Sequence, residues 1–371
     1  MATIVVVGAG GATGSHLVGH LARLEPVKRL VLVDSGVYEP ANLRGQDITA
    51  ADVGQPKARV QARRARRIRP GLEVLALVAD VGALPRGLLR GNLIASCLDS
   101  RWARQRVNEA AWRLGVPWVD AGIRADGLLA RVDVFLPGQE QPCLECGWSD
   151  DDYAALEQAY PCSGSTAPEA SPTASPSPLA GLAAAIQALR CRRLLAGQMG
   201  PDRPGLQVVI AAEHHAGHLV QRRHNPRCRL ADHGPWTIAP LDEDPRRLTL
   251  GTLLDRARDR LGVTTATPVT LRVEGKLFVR DRSCTACGAL TAGLRLFPSV
   301  VARGRRCAHC DAALVPVGWT SAERLDERDL VRSWLRRPLS RLGFARHEIV
   351  SAGVAGGAEV HLELTGGSDR G

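Results

Sequence analysis

Residues 3–34 read TIVVVGAGGATGSHLVGHLARLEPVKRLVLVD. The apolar run at 4–7 is short, β-branched and stopped by a glycine, which is how a strand buried on both faces of a parallel sheet reads. Gly8, Gly10, Gly11 and Gly14 follow, and residues 15–23 carry Leu17, Val18 and Leu21 at helical spacing. A second apolar run at 30–33 ends in Asp34. Strand, glycine turn, helix, strand and acid, in that order, open a nucleotide-binding βαβ unit. Glycine lets the backbone come close to phosphate oxygens, and the free N–H groups and dipole of a helix N-terminus favour an anion there. Asp34 stands where an acid accepts hydrogen bonds from a ribose. A bare glycine turn is the alternative, and the strand, helix and acid in register argue against it.

Outward from this stretch, 371 residues suggest two domains, and 45% hydrophobic content is ample for real cores. Aromatics are only 4%, a pattern that resembles the coding bias of a GC-rich genome. The formal net charge of +10 permits a nucleotide, an acidic protein or nucleic acid as partner. Much of it lies in arginines such as Arg63, Arg64, Arg66 and Arg67, whose expected place is a solvated helix face. No basic segment precedes the first strand, and no apolar run has membrane-spanning length. The richest run, 179–196, is broken by Gln187, Arg190, Arg192 and Arg193. A soluble, cytoplasmic protein is expected. Six of the ten cysteines form CxxC pairs, which in such a setting argues for metal over disulfides.

Along the chain, strands are expected at 3–7, 29–34, 72–79 and 92–97, with helices near 14–24, 57–68 and 100–114. Residues 117–123 and 128–136 read as further strands, 139–148 as a loop bearing a CxxC, and 149–159 as an acidic helix. Residues 161–178 (PCSGSTAPEASPTASPSP) cannot be helix or central strand, because proline removes donors and fixes φ. They are read as a crossing loop within the domain, since the apolar helix after them suits the same sheet. Strands at 206–212 and 219–224 close the first unit, and 236–245 reads as a linker. The second unit then opens with an amphipathic helix at 248–261. It continues with a strand pair at 269–279, helix at 326–342 and a last strand at 360–364.

The segments after Asp34 decide which nucleotide chemistry is expected. VYEPANLRGQ (37–46), QPKA (55–58) and CLD (97–99) all fall at the carboxyl edge of the parallel sheet, around one crevice. Asn42, Arg44 and Lys57 suit phosphate neutralisation, and Asp99 suits Mg²⁺. A dehydrogenase needs none of these cations.

Through GAGGATGS, LVLVD, VYEPANLRGQ, GQPKA, CLDS, the PCLEC pair and the helix AAIQALR, the chain resembles the ubiquitin-activating (E1-like) adenylyltransferases. That family includes the activators of the thiamine and molybdopterin sulfur carriers. The resemblance covers about residues 1–235. It implies an α/β, Rossmann-like, mostly parallel sheet forming an adenylation domain at 1–240, followed by a smaller α+β zinc-ribbon domain at 246–371. It implies that Gly8, Gly10 and Gly11 line ATP and Asp34 holds the ribose. Asn42, Arg44, Gln46 and Lys57 would surround the phosphates, with Asp99 at Mg²⁺ beside the reacting carboxylate. Arg44, Lys57 and Asp99 would be the catalytic set. The implied reaction joins ATP to the C-terminal glycine of a ubiquitin-like protein, giving an acyl-adenylate and pyrophosphate. Positioning and charge neutralisation carry such a step, since carboxylate and α-phosphate repel.

The sequence departs from the family at four places. The glycine loop is one residue longer than the common form, so Gly14 need not be the third glycine. Gly36 stands where a second acid is usual, and Gly45 where an arginine precedes the glutamine. The sequence opens at the first strand, whereas many relatives carry an N-terminal arm lending an arginine to the partner subunit, so part of the cationic complement is expected from elsewhere.

Cys162, in the crossing loop, stands where the family often carries the cysteine that accepts the activated protein as a thioester or a sulfur as a persulfide. A spare cysteine is the alternative; Cys97 and Cys191, in apolar segments, read as inert core. The family also implies a structural zinc on Cys143, Cys146 and Cys228. Position 231 is Ala where relatives offer a further cysteine, so His233 is the expected fourth ligand and His224 its rival. Cys284, Cys287, Cys307 and Cys310 form a second Zn²⁺ site by spacing alone, a zinc ribbon. The interval between its halves has arginines, Arg295, Arg303, Arg305 and Arg306, but Phe297 as its one aromatic, thin for base stacking, so nucleic acid is not the expected partner. The expected partners are a ubiquitin-like or sulfur-carrier protein, an E2-like protein and a second copy in a homodimer. The alternatives are a sulfur-carrier or peptide adenylyltransferase, and a non-catalytic nucleotide- or nucleic-acid-binding zinc protein. Gly366-Gly367 near the end is read as coincidence rather than a ubiquitin-like tail.

Overall fold

The computed structural model describes residues 2–158, 176–198, 203–230, 233–301 and 306–367. The described residues within Met1–Val81, Leu89–Leu156 and Pro168–Pro235 form one compact unit, and those within Gly82–Leu88 and Trp236–Gly371 belong to a second. The division falls at Pro235/Trp236, ahead of the expected 240–246.

In the first unit the strands are β1 (Ala2–Val7), β2 (Val27–Val33), β3 (Glu73–Leu77), β4 (Leu93–Ser96), β5 (Trp118–Arg124), β6 (Leu129–Phe135), β7 (Leu206–Ala211) and β8 (Ala216–Gln221). The helices are α1 (Ala12–Ala22), α2 (Lys57–Ile68), α3 (Arg101–Leu114), α4 (Asp150–Gln158) and α5 (Ser177–Leu195). The strands make one sheet in the order β3-β2-β1-β4-β5-β6-β7-β8. From β3 to β5 each neighbouring pair is parallel, and β6, β7 and β8 continue antiparallel. Chain order reverses between β1 and β4, which makes the gap between their carboxyl ends the topological switch point. The residues of β1 and β4 are buried almost without a break because both faces are covered. Ile4, Val6, Leu17, Leu21, Leu30, Leu32, Ala62, Leu93, Val119 and Ala184 share the core there.

The sequence places a glutamine inside an apolar run of a helix, and the structure explains it. Gln187 of α5 is fully buried and donates to the Ser96 carbonyl at 3.0 Å and the Val119 carbonyl at 2.9 Å, so α5 is fastened to β4 and β5. Its Oε1 lies 3.2 Å from the Cys97 thiol. Burial pushes the thiols of Cys97 and Cys191 up, the latter to about 12, in keeping with inert core cysteines. Residues 159–175, with Cys162, lie outside the described residues, as do Arg303 and Arg305. The closing strand runs 216–221, three residues before the expected 219–224.

In the second unit, β9 (Ile238–Leu241) occupies what reads as linker, because it pairs in parallel with β17 (Glu359–Leu364). Helix α6 (Leu250–Leu261) is capped by the Thr249 hydroxyl and stopped at Gly262. With β10 (Thr270–Arg272), β15 (Arg324–Asp326) and β16 (Ile349–Gly353), these make a sheet in the order β15-β10-β16-β17-β9. A second sheet holds β11 (Leu277–Cys284), β12 (Leu290–Phe297), β13 (Leu314–Pro316) and β14 (Ser321–Ala322). The helix expected over 326–342 is absent as such. The segment breaks into a 3-10 turn at Glu327–Asp329, a single α-turn, α7 (Arg332–Leu335), and another 3-10 turn after Pro338, where a continuing helix would lose a donor.

Gly366 and Gly367 have a packing reason. A Cβ on Gly366 would lie 2.5 Å from Glu243 backbone atoms, and Gly367, at φ +94°, would meet the Asp244 carboxyl at 2.9 Å. The segment just after the last strand thus lies against residues 243–244 because these two positions lack side chains. Gly366→Ala should lower stability by about 1–3 kcal/mol through this overlap, read as a fall in thermal midpoint. Gly71→Ala, with nothing within 4 Å, should stay within about 0.5 kcal/mol. Equal midpoints for the two variants would contradict the packing account.

Candidate functional site

The site is built where β1, β2 and β4 end. Gly8 takes φ +78°, and a Cβ there would lie 2.4 Å from the Cys97 carbonyl, so the turn is pressed against the end of β4. Gly11 is the N-cap residue of α1. Gly14, one position later than the common pattern, does the third glycine's work: its Cβ would lie 2.0 Å from the Gly8 carbonyl oxygen. The extra residue in the loop therefore shifts the sequence position of the close approach without removing it. Helix on turn at this distance is possible with hydrogen alone.

Asp34 ties the two strands to the turn. Its Oδ2 accepts from the Gly10 N–H and its Oδ1 from the Gly36 N–H, each at 2.9 Å. Burial raises its carboxyl above the usual range; the two N–H donors and Lys57 pull the other way, and Asp99 adds to the rise. Lys57, the first residue of α2, covers the turn: a Cβ on Gly10 would meet the Lys57 Cβ at 2.3 Å. The same lysine lies along Gly36, where a Cβ would stand 3.2 Å from the Lys57 stem. The Lys57 ammonium sits 5.4 Å from the Tyr38 ring centroid. Tyr38 is buried, with its hydroxyl accepting from Gln61 at 2.8 Å.

The 37–56 loop is fastened at both ends. Val37 bridges Pro56, the Tyr38 N–H donates to Gln55 and the Gly54 N–H to Tyr38. Asn42 spends its Oδ1 on the Glu39 N–H at 2.9 Å, capping the 3-10 turn Pro40–Arg44, so its amide NH₂ is what remains for a phosphate. Arg44 is exposed, and Gln46 Oε1 is buried without a donor among the described residues. The Asp47 N–H donates to Ser15 Oγ at 2.9 Å, bringing the loop to the first turn of α1. Arg64 reinforces that join by donating to the carbonyls of Ser15 (3.1 Å) and Asp47 (2.9 Å) and to the Asp47 carboxylate. Expected on a solvated face, Arg64 is a structural clamp. At the end of β4, Asp99 is exposed just ahead of Ser100, whose Oγ caps α3. Arg104 of α3 donates to the carbonyl of Leu98 and, at 2.9 Å, to buried Asp120, which steadies the Leu98–Asp99 turn.

A second cluster lies in the same unit. The atoms Cys143 Sγ, Cys146 Sγ, Cys228 Sγ and His233 Nε2 approach one another at 3.3–3.8 Å: Cys143–Cys228 3.6 Å, Cys143–Cys146 3.8 Å, His233–Cys143 3.3 Å and His233–Cys146 3.6 Å. Roughly these edges belong to a tetrahedron with bonds of about 2.0–2.3 Å to a central ion, so the four could hold a metal. His233, and not His224, stands among the sulfurs. The hydrogen bonds of Cys143 and Cys228 pull the Cys146 thiol strongly down, while burial pushes Cys143 up. The CxxC turn is held from outside: buried Glu145 accepts from Gln105 (3.1 Å), Asn108 (3.0 Å) and Tyr153 (3.1 Å).

In the second unit, Cys284, Cys287, Cys307 and Cys310 also converge, with Cys284–Cys310 at 3.3 Å and Cys287–Cys307 at 3.6 Å. Backbone N–H groups of Cys287 and Ala286 point at the Cys284 sulfur and bring its thiol down to about 6. That poises it as thiolate, the form that ligates metal. No described helix is long and apolar enough to cross a membrane.

Comparison with known proteins adds the following. Residues 1–230 match the model of the ThiF family. The chain is 34% identical over 153 residues to the NEDD8-activating enzyme E1 catalytic subunit of Saccharomyces cerevisiae, covering 38% of this chain and 50% of that protein. It is 28% identical over 197 residues to the sulfur carrier protein ThiS adenylyltransferase of Escherichia coli, covering 52% and 72%. The chain thus spans about half the length of the first of these relatives. Among solved structures, E. coli MccB with succinimide superposes at TM-score 0.51 and 21% identity over 62% of this chain and 66% of that one, a likeness of fold.

Gly14→Ala should destabilise the first unit by about 1–3 kcal/mol despite alanine's better helix propensity, because the Gly8 carbonyl cannot yield. Gly11→Ala, whose nearest neighbours stand at 3.5 Å, should stay within about 0.5 kcal/mol. Chemical unfolding midpoints compare the two, and a stable Gly14→Ala would remove Gly14 from the turn.

Proposed function

This chain belongs to the ThiF family, and on that premise we propose that it is an ATP-dependent adenylyltransferase acting on the C-terminal carboxylate of a ubiquitin-like or sulfur-carrier protein. The observation that carries the reading is the junction of the Gly8–Gly11 turn, Asp34, Lys57 and Asp99 at one switch point. ATP lies along this crevice. Asp34 keeps one lone pair on each oxygen beyond the two N–H bonds it accepts, so it still receives a ribose hydroxyl. The buried, donorless Oε1 of Gln46 suits a hydroxyl donor brought by a ligand. Lys57, Arg44 and the Asn42 amide neutralise phosphate oxygens. With the α-phosphate screened, a carboxylate oxygen attacks phosphorus in line and pyrophosphate leaves, giving a mixed anhydride with AMP.

Mg²⁺ fits the donor set offered by Asp99, an exposed carboxylate beside the crevice, and bound there it would screen phosphate charge. Zinc fits both sulfur-rich clusters: each is a closed set of four N/S ligands, the donor chemistry of structural rather than catalytic sites. Two zinc ions per chain are expected by elemental analysis, one remaining in Cys284→Ser; one in the unaltered protein would count against one cluster.

The sulfur-carrier form of the reading is favoured by the longer match to the ThiS adenylyltransferase. Thioester or persulfide formation on Cys162, an E2-like acceptor and a homodimer belong to the same proposal.

ATP–pyrophosphate exchange stimulated by a small protein ending in glycine is the test. Asp99→Ala should reduce exchange at least 100-fold, by the size of effect expected when a transition-state charge is left unscreened, with an unchanged thermal midpoint. Exchange retained in that variant would sink the role of Asp99, and no exchange with any glycine-ended carrier would sink the activity.

A further inference from the structure

Where position 231 has lost a cysteine, the fourth corner of the first cluster is a histidine, and a histidine brings a problem a cysteine does not. Imidazole ligates only through an unprotonated nitrogen, and it has two. His233 presents Nε2 to the sulfurs of Cys143 and Cys146. Its other nitrogen, Nδ1, is 2.7 Å from Nε2 of His224, with the two rings at 69°. Nε2 of His233 can serve a metal only if the proton resides on Nδ1, and His224 Nε2 is the acceptor waiting for it.

We infer that His224 is a positioning residue that fixes His233 as the Nδ1–H tautomer and aims its Nε2 at the metal. The inference rests on reading the Cys143 cluster as a metal site, and it adds a residue to that reading. Three further observations support it. His233 is buried but sits at φ +36°, a conformation a side-chain-bearing residue rarely adopts, so the backbone alone does not favour this pose. Its N–H donates back to the Leu230 carbonyl at 3.3 Å. The residue following His224 also serves the cluster: the Asn225 N–H bonds the Cys146 sulfur. One dipeptide thus supplies an outer hydrogen bond to two ligands. Such outer partners orient histidine ligands, and losing one typically weakens metal binding 10–100-fold.

The test uses the full chain, with zinc and Co²⁺ as probes. His224→Leu should raise the zinc dissociation constant of the first site 10–100-fold in chelator competition and alter the Co²⁺ visible spectrum. His224→Gln, whose amide oxygen can accept the same proton, should recover most of the affinity. The zinc-ribbon site, read in the same samples, should not change. Long-range ¹H–¹⁵N correlation of the imidazoles should show the Nδ1–H form of His233. Unchanged affinity in a folded His224→Leu protein, or ligation of His233 through Nδ1, overturns the role of His224 while leaving the metal site standing. A chain that holds one zinc, and none in Cys284→Ser, overturns the metal reading of the first cluster and this inference with it.

Discussion

The two N–H groups that converge on the carboxylate of Asp34 hold the first unit's working edge together. Gly10 lies after β1 and Gly36 after β2, and the Asp34 side chain, at the end of β2, reaches both. One part-buried acid joins them. Burial favours its neutral form, and the N–H donors with Lys57 nearby offset part of that cost. The arrangement demands glycine at position 10, where a Cβ would meet the Lys57 Cβ at 2.3 Å, while one on Gly36 would stand close to both Lys57 and Asp34 at 3.2 Å.

Around that joint the loop from Val37 to Pro56 is fixed by hydrogen bonds that have little to do with a ligand. Tyr38, Gln61, Ser15, Asp47 and Arg64 fasten it to α1 and α2, so the groups that would meet phosphate ride on a rigid support. Pre-ordering of this kind lowers the entropic cost of binding. Asn42 shows the cost in versatility, since half of its amide caps its own turn.

The two sulfur clusters follow different logics. In the second unit, four cysteines in two knuckles receive backbone N–H groups, and each turn carries its own ligand pair. In the first, ligands come from segments far apart in the chain, and the fourth corner is a histidine at positive φ supported by another histidine. The tight CxxC turn is held from outside by Glu145 and its three donors. Distant ligands gain the most in chain order from a shared ion, and they also need the most help in pointing at it.

Taken by itself, the sequence determined the βαβ opening, the succession of strands along the chain to β5 and the CxxC knuckles, because these rest on local periodicity, glycine and short spacing. It also singled out Asp34, Lys57 and Asp99 through their places at strand and helix ends. Tertiary structure alone decided the rest. Whether Gly14 or another glycine meets the turn depends on an approach of 2.0 Å that no spacing rule contains. The choice between His233 and His224 depends on which ring faces the sulfurs of Cys143 and Cys146, 90 and 87 residues from His233 in sequence. Arg64 reads as a solvated residue and Gln187 as a polar break in an apolar run, yet each donates to carbonyls on other elements. The strand at 238–241 reads as linker because its partner, β17, lies at the far end of the chain. The reason is common to all of these: periodicity reports which face of an element is buried, and says nothing about what that face will touch.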